Sequence, residues 1–348
     1  MPGARLVSTP VTVEDSLEGI NEAFYEKGWT DGLPIVPPTE GRIRRIADYV
    51  RRDPSEVVAL VPPAGGEATI EKIAINAVMA GCLPEYMPVL VAAVEAMAEP
   101  RFNLNGIQAT TNPVAPLTII NGPIRKELDI NCGSNALGQG WRANATIGRA
   151  VRLVLVNIGG GLPGAVDKAT LGMPGKYTFC LGENEEESPW EPLHVERGLS
   201  RETSAVTVVG ASGTSNVAAS YLNARVLLSC IASAMAFLGS NNWPYGGEPL
   251  VIFCPSHAAI LAKEGYTKEK IKLALYERTL RPVSDFEPEY LDKLLRRGKK
   301  VVDGRVPLVF RPEDIMVVVA GGPGGIHSTV LATFGETWAV TRPVARPI

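Results

Sequence analysis

Leu250-Val-Ile-Phe-Cys254-Pro-Ser-His257 runs from a short, wholly apolar segment straight into a proline turn. Ile315-Met-Val-Val-Val-Ala320 runs in the same way into Gly321-Gly-Pro-Gly-Gly-Ile-His327-Ser328. An apolar run of about four to eight residues that stops at Pro or Gly reads as a strand buried on both faces. Further strands are expected at Val57–Val61, within 102–121 (ending in Leu117-Thr-Ile-Ile-Asn121) and at Ala205–Val209. Between them lie helical patterns. Residues 14–27 place Leu17, Ile20, Ala23 and Phe24 on one face, and 40–51 place Ile43, Ile46, Ala47 and Val50 inward. Others are expected at 67–79, 84–97, 147–158, from beyond Asn216 to Leu238, and at 257–264, 267–279 and 287–297. Interleaved strands and helices predict an α/β fold. Its sheet or sheets should be mixed and partly parallel, with small-residue buried helices and long Gly/Pro-rich loops.

The chain divides on paper into an N-terminal α/β domain, residues 1–203, and a C-terminal α/β domain, 204–348, packed closely on it. Residues 162–203 hold little periodicity and read as a long irregular arm, either functional or used in oligomer contacts. Asn131-Cys-Gly-Ser-Asn135 before a helix near Asn144 echoes Gly213-Thr-Ser-Asn216 before a helix near Asn223. Capping preferences alone also produce such echoes.

Composition excludes several classes. Among 348 residues, 20% are charged and the net charge is −3, with no basic stripe interleaved with aromatics, so nucleic acid is not an expected partner. No apolar run reaches the length of a membrane span. Met1-Pro-Gly-Ala-Arg5 lacks the apolar core of a secretory signal, and a cytoplasmic protein is expected, as a homo-oligomer. The five cysteines (82, 132, 180, 230 and 254) contain no CxxC pair and read as free thiols.

Chemistry is sought in the loops. Cys82, in Ala80-Gly-Cys-Leu-Pro84-Glu85, is placed at a helix start, where exposed N–H groups favour a thiolate; a small buried thiol is the plainer reading. Cys132 lies in Asn131-Cys-Gly133-Ser134-Asn135, a loop that reads as an anion nest with side-chain donors or as an ordered turn. Cys180, Cys230 and Cys254 sit in apolar segments and read as core. The glycine loop at 321–325, with Gly322 and Gly324, suits an anion, and His327 beside it suits a general acid or base. It has neither Rossmann spacing nor a P-loop Lys. His257, near a helix start, is expected to titrate low and serve as a neutral base or as a cap. Arg142, Trp29, Asp31 and Lys176 add polar groups for an anionic substrate. Glu183 to Glu196 around His194 offers a second scheme, a divalent metal held by His194, His257, His327, Glu183 and Glu196.

Gly28-Trp-Thr-Asp-Gly-Leu-Pro-Ile-Val-Pro-Pro-Thr39, Ala77-Val-Met-Ala-Gly-Cys-Leu-Pro-Glu-Tyr-Met-Pro88 and Gly175-Lys-Tyr-Thr-Phe-Cys180 through Pro189-Trp-Glu-Pro-Leu-His194 resemble a widespread family of bacterial hypothetical proteins, over nearly the whole chain. That resemblance carries no settled activity. Cys132-Gly-Ser-Asn135 is similar to the (seleno)cysteine-Gly-Ser-Cys signature of UGSC-type proteins, with Asn135 in place of the last cysteine, so the vicinal dithiol is missing. The residues together lead us to expect a thiol-dependent lyase or hydrolase for a small anionic molecule. Cys132 or Cys82 would be its thiol, His327 and His257 its proton carriers, and it would need no cofactor. A metal-dependent lyase or hydrolase and a non-catalytic ligand-binding subunit are the alternatives.

Overall fold

The computed structural model describes residues 6–220 and 223–345. Met1–Arg5, and Tyr221 and Leu222 within the helix expected to end at Leu238, lie outside the described residues. The chain opens with helices α1 (Leu17–Glu26) and α2 (Glu40–Ala47) and a hairpin of β1 (Val57–Val61) and β2 (Gly66–Thr69). Then come α3 (Ile70–Ala80), α4 (Met87–Ala98), the turn α5 (Leu104–Gln108), β3 (Ala115–Asn121), the turn α6 (Ile124–Glu127), α7 (Arg142–Asn157), β4 (Cys180–Gly182) and the turn α8 (Leu193–Glu196). β5 (Ala205–Ala211), β6 (Ser215–Ala218), α9 (Ala224–Met235), the turn α10 (Asn242–Tyr245) and β7 (Leu250–Phe253) follow. The chain continues through α11 (Pro255–Lys263), α12 (Lys268–Thr279), β8 (Arg281–Pro282), α13 (Pro288–Arg296) and β9 (Arg305–Val306). It closes with β10 (Met316–Val319), β11 (His327–Leu331) and β12 (Val340–Pro343).

Strand parity sets the layers. β3 and β5 are buried at every position, so both of their faces need cover. Ala115, Leu117 and Ile119 of β3, Leu181 of β4 and Val209 of β5 pack with Leu250 and Ile252 of β7, Met316 and Val318 of β10 and Leu331 of β11. Side chains of opposite parity point away from this shared core. Ile120, Val206 and Val208 meet α3, α4 and α7, while Val251, Phe253, Val317 and Val319 meet α9, α11 and α12. Period-two alternation thus builds four layers, helices on sheet on sheet on helices. The α/β class holds, with parallel and antiparallel pairs in both four-stranded sheets.

The two large sheets share one topology. Their orders are β12-β5-β3-β4 and β6-β11-β7-β10. In each, a parallel pair (β3 with β4, β7 with β10) is followed by two antiparallel neighbours. The fourth strand of each half is exchanged: β6, next after β5 in the chain, pairs with β11, and β12, next after β11, pairs with β5. The internal repeat is therefore real in topology but lies elsewhere than the echo in the sequence. Asn144 is in α7, between the parallel strands of one half, whereas Asn223 caps α9, which precedes the other half. Residue 203 falls just before β5, and β5 and β12 complete the first sheet.

Several local expectations change. Gly66–Thr69 is the return strand of a hairpin, not a first helical turn; α3 starts at Ile70, where Thr69 Oγ1 accepts the Lys72 N–H at 3.2 Å. The arm at 162–203 contributes β4, an edge strand only three residues long, too short for periodicity to show. His327 opens a strand rather than ending a loop. No helix among the described residues is long and apolar enough to cross a membrane.

Leu117 is fully buried in the core between the sheets, whereas Leu171 is 95% exposed. Leu117→Ala should lower unfolding free energy by about 2–5 kcal/mol, and Leu171→Ala by less than about 0.5 kcal/mol, in urea titrations. Equal losses would refute the shared core.

Candidate functional site

The carboxyl ends of β3, β4, β7 and β10 meet at one end of the two sheets. The Asn184 N–H donates to Val319 O at 2.7 Å, joining the loop after β4 to the end of β10. Gly321 N–H donates to Cys132 O at 2.9 Å, joining the cysteine loop to the glycine loop. Ala320 N–H donates to Phe253 O at 3.0 Å, beside Cys254. Strand carboxyl ends are the usual place for chemistry in α/β proteins.

Cys254 caps α11, Pro255 occupies the first turn, and His257 follows three residues after the cysteine, on the same helical turn. His257 Nε2 lies 2.8 Å from Ala219 O, and Nδ1 lies 2.7 Å from Ser328 Oγ. A carbonyl only accepts, so Nε2 carries the proton and Nδ1 of the neutral ring accepts from the Ser328 hydroxyl. Ser328 Oγ in turn accepts the Cys254 N–H at 3.3 Å. The Cys254 thiol donates to Gly325 O at 3.5 Å. Burial pushes this thiol up, but the neighbouring His257 and Ser328 together more than offset it and leave the thiol below its ordinary value. Burial pushes His257 down, but the nearby Cys254 sulfur and the bond to Ala219 O carry it above the ordinary imidazole value. That corrects the low titration expected for His257: the sulfur and the carbonyl stabilise the imidazolium more than burial disfavours it.

Cys132 stands on the other side of Gly321. Its sulfur is 3.8 Å from Arg125 Nη1. Arg125, only 3% exposed, also donates to Glu183 O at 2.7 Å and pairs with Glu185 and Glu186. Burial pushes the Cys132 thiol up and Arg125 offsets this only in part. The same Arg125 holds Glu186 down to about 2. Cys132 is half-buried and nearer solvent, while Cys254 is 4% exposed beneath Gly325. Between them the chain needs glycine: Gly321 and Gly324 have φ of +108° and +72°. A Cβ on Gly322 would sit 1.9 Å from Ser134 Oγ. The N–H groups of Gly322, Gly324 and Gly325 have no partner among the described residues.

The other expected residues scatter. Cys82 precedes a 3-10 turn rather than an α-helix, donates to Thr146 O at 3.3 Å, and is pushed up to about 12 by burial, so it is not a thiolate. His327 faces solvent beside Asn216 Nδ2 at 3.2 Å, on the opposite side of β11 from Ser328, and is not brought to Cys254. The side chain of Asn131 is consumed within its own turn, by Gly133 N–H and Ser134 O, and Asn135 donates to Gln139 O. Arg142 is exposed at the start of α7. Asp31 pairs with Arg149 and Lys176 with Asp167, away from Cys132 and Cys254, and Trp29 lies on the same side, its carbonyl accepting from Asn157.

The residues of the metal scheme also separate. Glu196 is taken by Lys268 and Lys272. Glu183 accepts from Asn121 Nδ2 at 2.7 Å and Leu193 N–H at 2.8 Å, and burial pushes its carboxyl up. His194 is wholly buried, with neither ring nitrogen partnered among the described residues. No cluster of three or more His, Cys, Asp or Glu suited to a metal occurs among the described residues. Cys254, Ser328 and Arg125 were not anticipated. The signal for Cys254 was the cysteine-to-histidine spacing of three residues right after a strand.

No protein-family model and no curated protein matches the chain.

The geometry predicts the order of thiol reactivity. Iodoacetamide labelling with peptide mass readout should show Cys254 ionising below the ordinary thiol value. His257→Ala should move its inflection to higher pH, because the lowering influence of the imidazole is lost. An unchanged inflection would remove His257 from the site.

Proposed function

We propose that the chain is a thiol-dependent lyase or hydrolase acting on a small anionic molecule, with Cys254 as its nucleophile. The observation that carries this reading is the Cys254–His257 pair at the start of α11, with the ring held by Ala219 O and Ser328. In the resting arrangement both ring nitrogens are engaged, so proton transfer requires Nδ1 to exchange the Ser328 hydroxyl for the Cys254 thiol. The thiolate formed then lies next to the positive end of a nine-residue helix. The same ring can return the proton to a leaving group. The unpartnered N–H groups of Gly322, Gly324 and Gly325 support an anionic substrate, or the oxyanion formed on attack. Gly325 roofs the sulfur, so substrate entry requires the glycine loop to move aside; loops of this kind commonly gate active sites. Cys132, joined to the loop through Gly321, is a second thiol at its edge rather than the nucleophile. It lacks an imidazole and its thiol is pushed up.

Turnover on a panel of small carboxylates and phosphate esters tests this. Cys254→Ser should abolish the activity found. His257→Ala should reduce it by about 10²–10⁴-fold, with Cys82→Ser unaffected. Full turnover in Cys254→Ser would refute the assignment.

A further inference from the structure

At the far end of β4 from the thiols, the loop after α1 and the segment Gly175-Lys176-Tyr177 converge on α7. Arg149 donates from Nε and Nη2 to the two oxygens of Asp31, at 2.8 Å each. Lys176 Nζ pairs with Asp167 at 2.5 Å. Arg152, three residues after Arg149 and so on the same face of the helix, donates its Nε to Lys176 O at 2.9 Å. Its Nη1 and Nη2 have no partner among the described residues.

The charges do not balance. Three cations face two carboxylates, and each carboxylate is already taken by Arg149 or Lys176. The paired side chains of Asp31, Asp167, Arg149 and Lys176 are largely shielded, 4%, 11%, 15% and 16% exposed, while the free edge of Arg152 stays open to a ligand. Arg152 is half-buried, and burial draws it below the ordinary guanidinium value, with Asp167 and Asp31 offsetting this only in part. Arginine does not escape by losing its proton. A half-buried guanidinium whose neighbouring carboxylates are each paired with another cation gains a partner of its own when an anion binds. With Nε committed to a carbonyl, the free edge is the Nη1–Nη2 end, a planar fork matched to two oxygens of one group.

We propose that Arg152 anchors a second binding site, separate from the thiols, that takes a small oxyanion, carboxylate or phosphate, on its free guanidinium edge beside Lys176. The two sites are distinct in the fold, because Lys176 precedes β4 whereas Glu183 follows it. The site does not depend on the reading of Cys254.

Isothermal titration of the full chain with inorganic phosphate, and separately with acetate, tests it. At least one should bind saturably. Arg152→Met should weaken that binding tenfold or more, roughly, and Arg152→Lys should weaken it less, since a point charge replaces the fork. Asp167→Asn removes a nearby negative charge and should tighten binding several-fold, a gain that misfolding does not mimic. Cys254→Ser should bind as the parent chain does. No saturable binding of either anion, equal affinity in Arg152→Met, or unchanged affinity in Asp167→Asn would overturn the proposal. If Arg152→Met does not fold, the Asp167→Asn result decides.

Discussion

The two sheets are fastened at their carboxyl ends by main-chain hydrogen bonds, and the rest of the site depends on those bonds. Asn184 N–H to Val319 O holds the end of β4 against the end of β10, and Gly321 N–H to Cys132 O holds the cysteine loop against the glycine loop. Main-chain bonds of this kind are indifferent to side chain but demand close approach. A run of Gly321-Gly-Pro-Gly-Gly325 is what permits it: a Cβ at 322 would collide with Ser134, and 321 and 324 occupy left-handed φ. The exchange of β6 and β12 between the sheets reinforces the same registration, since neither half completes its own sheet.

Two electrostatic designs sit on either side of that junction. Around Arg125, one buried cation is enclosed by Glu185, Glu186 and the Glu183 carbonyl, and Cys132 receives only what remains of its field. Among the described residues no arginine acts on the Cys254 thiol. An imidazole held at both nitrogens, by Ala219 O and Ser328, stands beside the thiol at a helix start and lowers it. The first arrangement is a structural clamp with strong, saturated partners. The second keeps one polar contact long and weak, the 3.5 Å thiol bond to Gly325 O.

Much of the fold was legible. The apolar runs at 250–253 and 316–319 are strands, Gly and Pro mark their ends, and α2, α12 and α13 lie near their expected bounds. What was missed has particular causes. Cys180–Gly182 is too short to show a period, and His327–Leu331 follows a glycine loop whose pull toward irregular structure masked the strand. Cys254 read as core because it ends an apolar run. It is indeed buried, but burial alone does not separate an inert thiol from one facing an imidazole. His327 and Ser328 show how narrow the margin is: adjacent on one strand, they face opposite sides, and the serine has the partner.

The sequence by itself determined the α/β class, the positions of the principal strand ends and the identity of the loops that carry reactive groups. These follow from local patterns of apolar residues and of Gly and Pro. Only the tertiary structure decided which loops meet, that two like sheets exchange their fourth strands, and that Ser328 and Ala219 hold His257 beside Cys254 while Asp31 and Lys176 gather around α7. Those are contacts between residues far apart in the chain. They are set by how two sheets bury a common face, and no local pattern encodes that pairing.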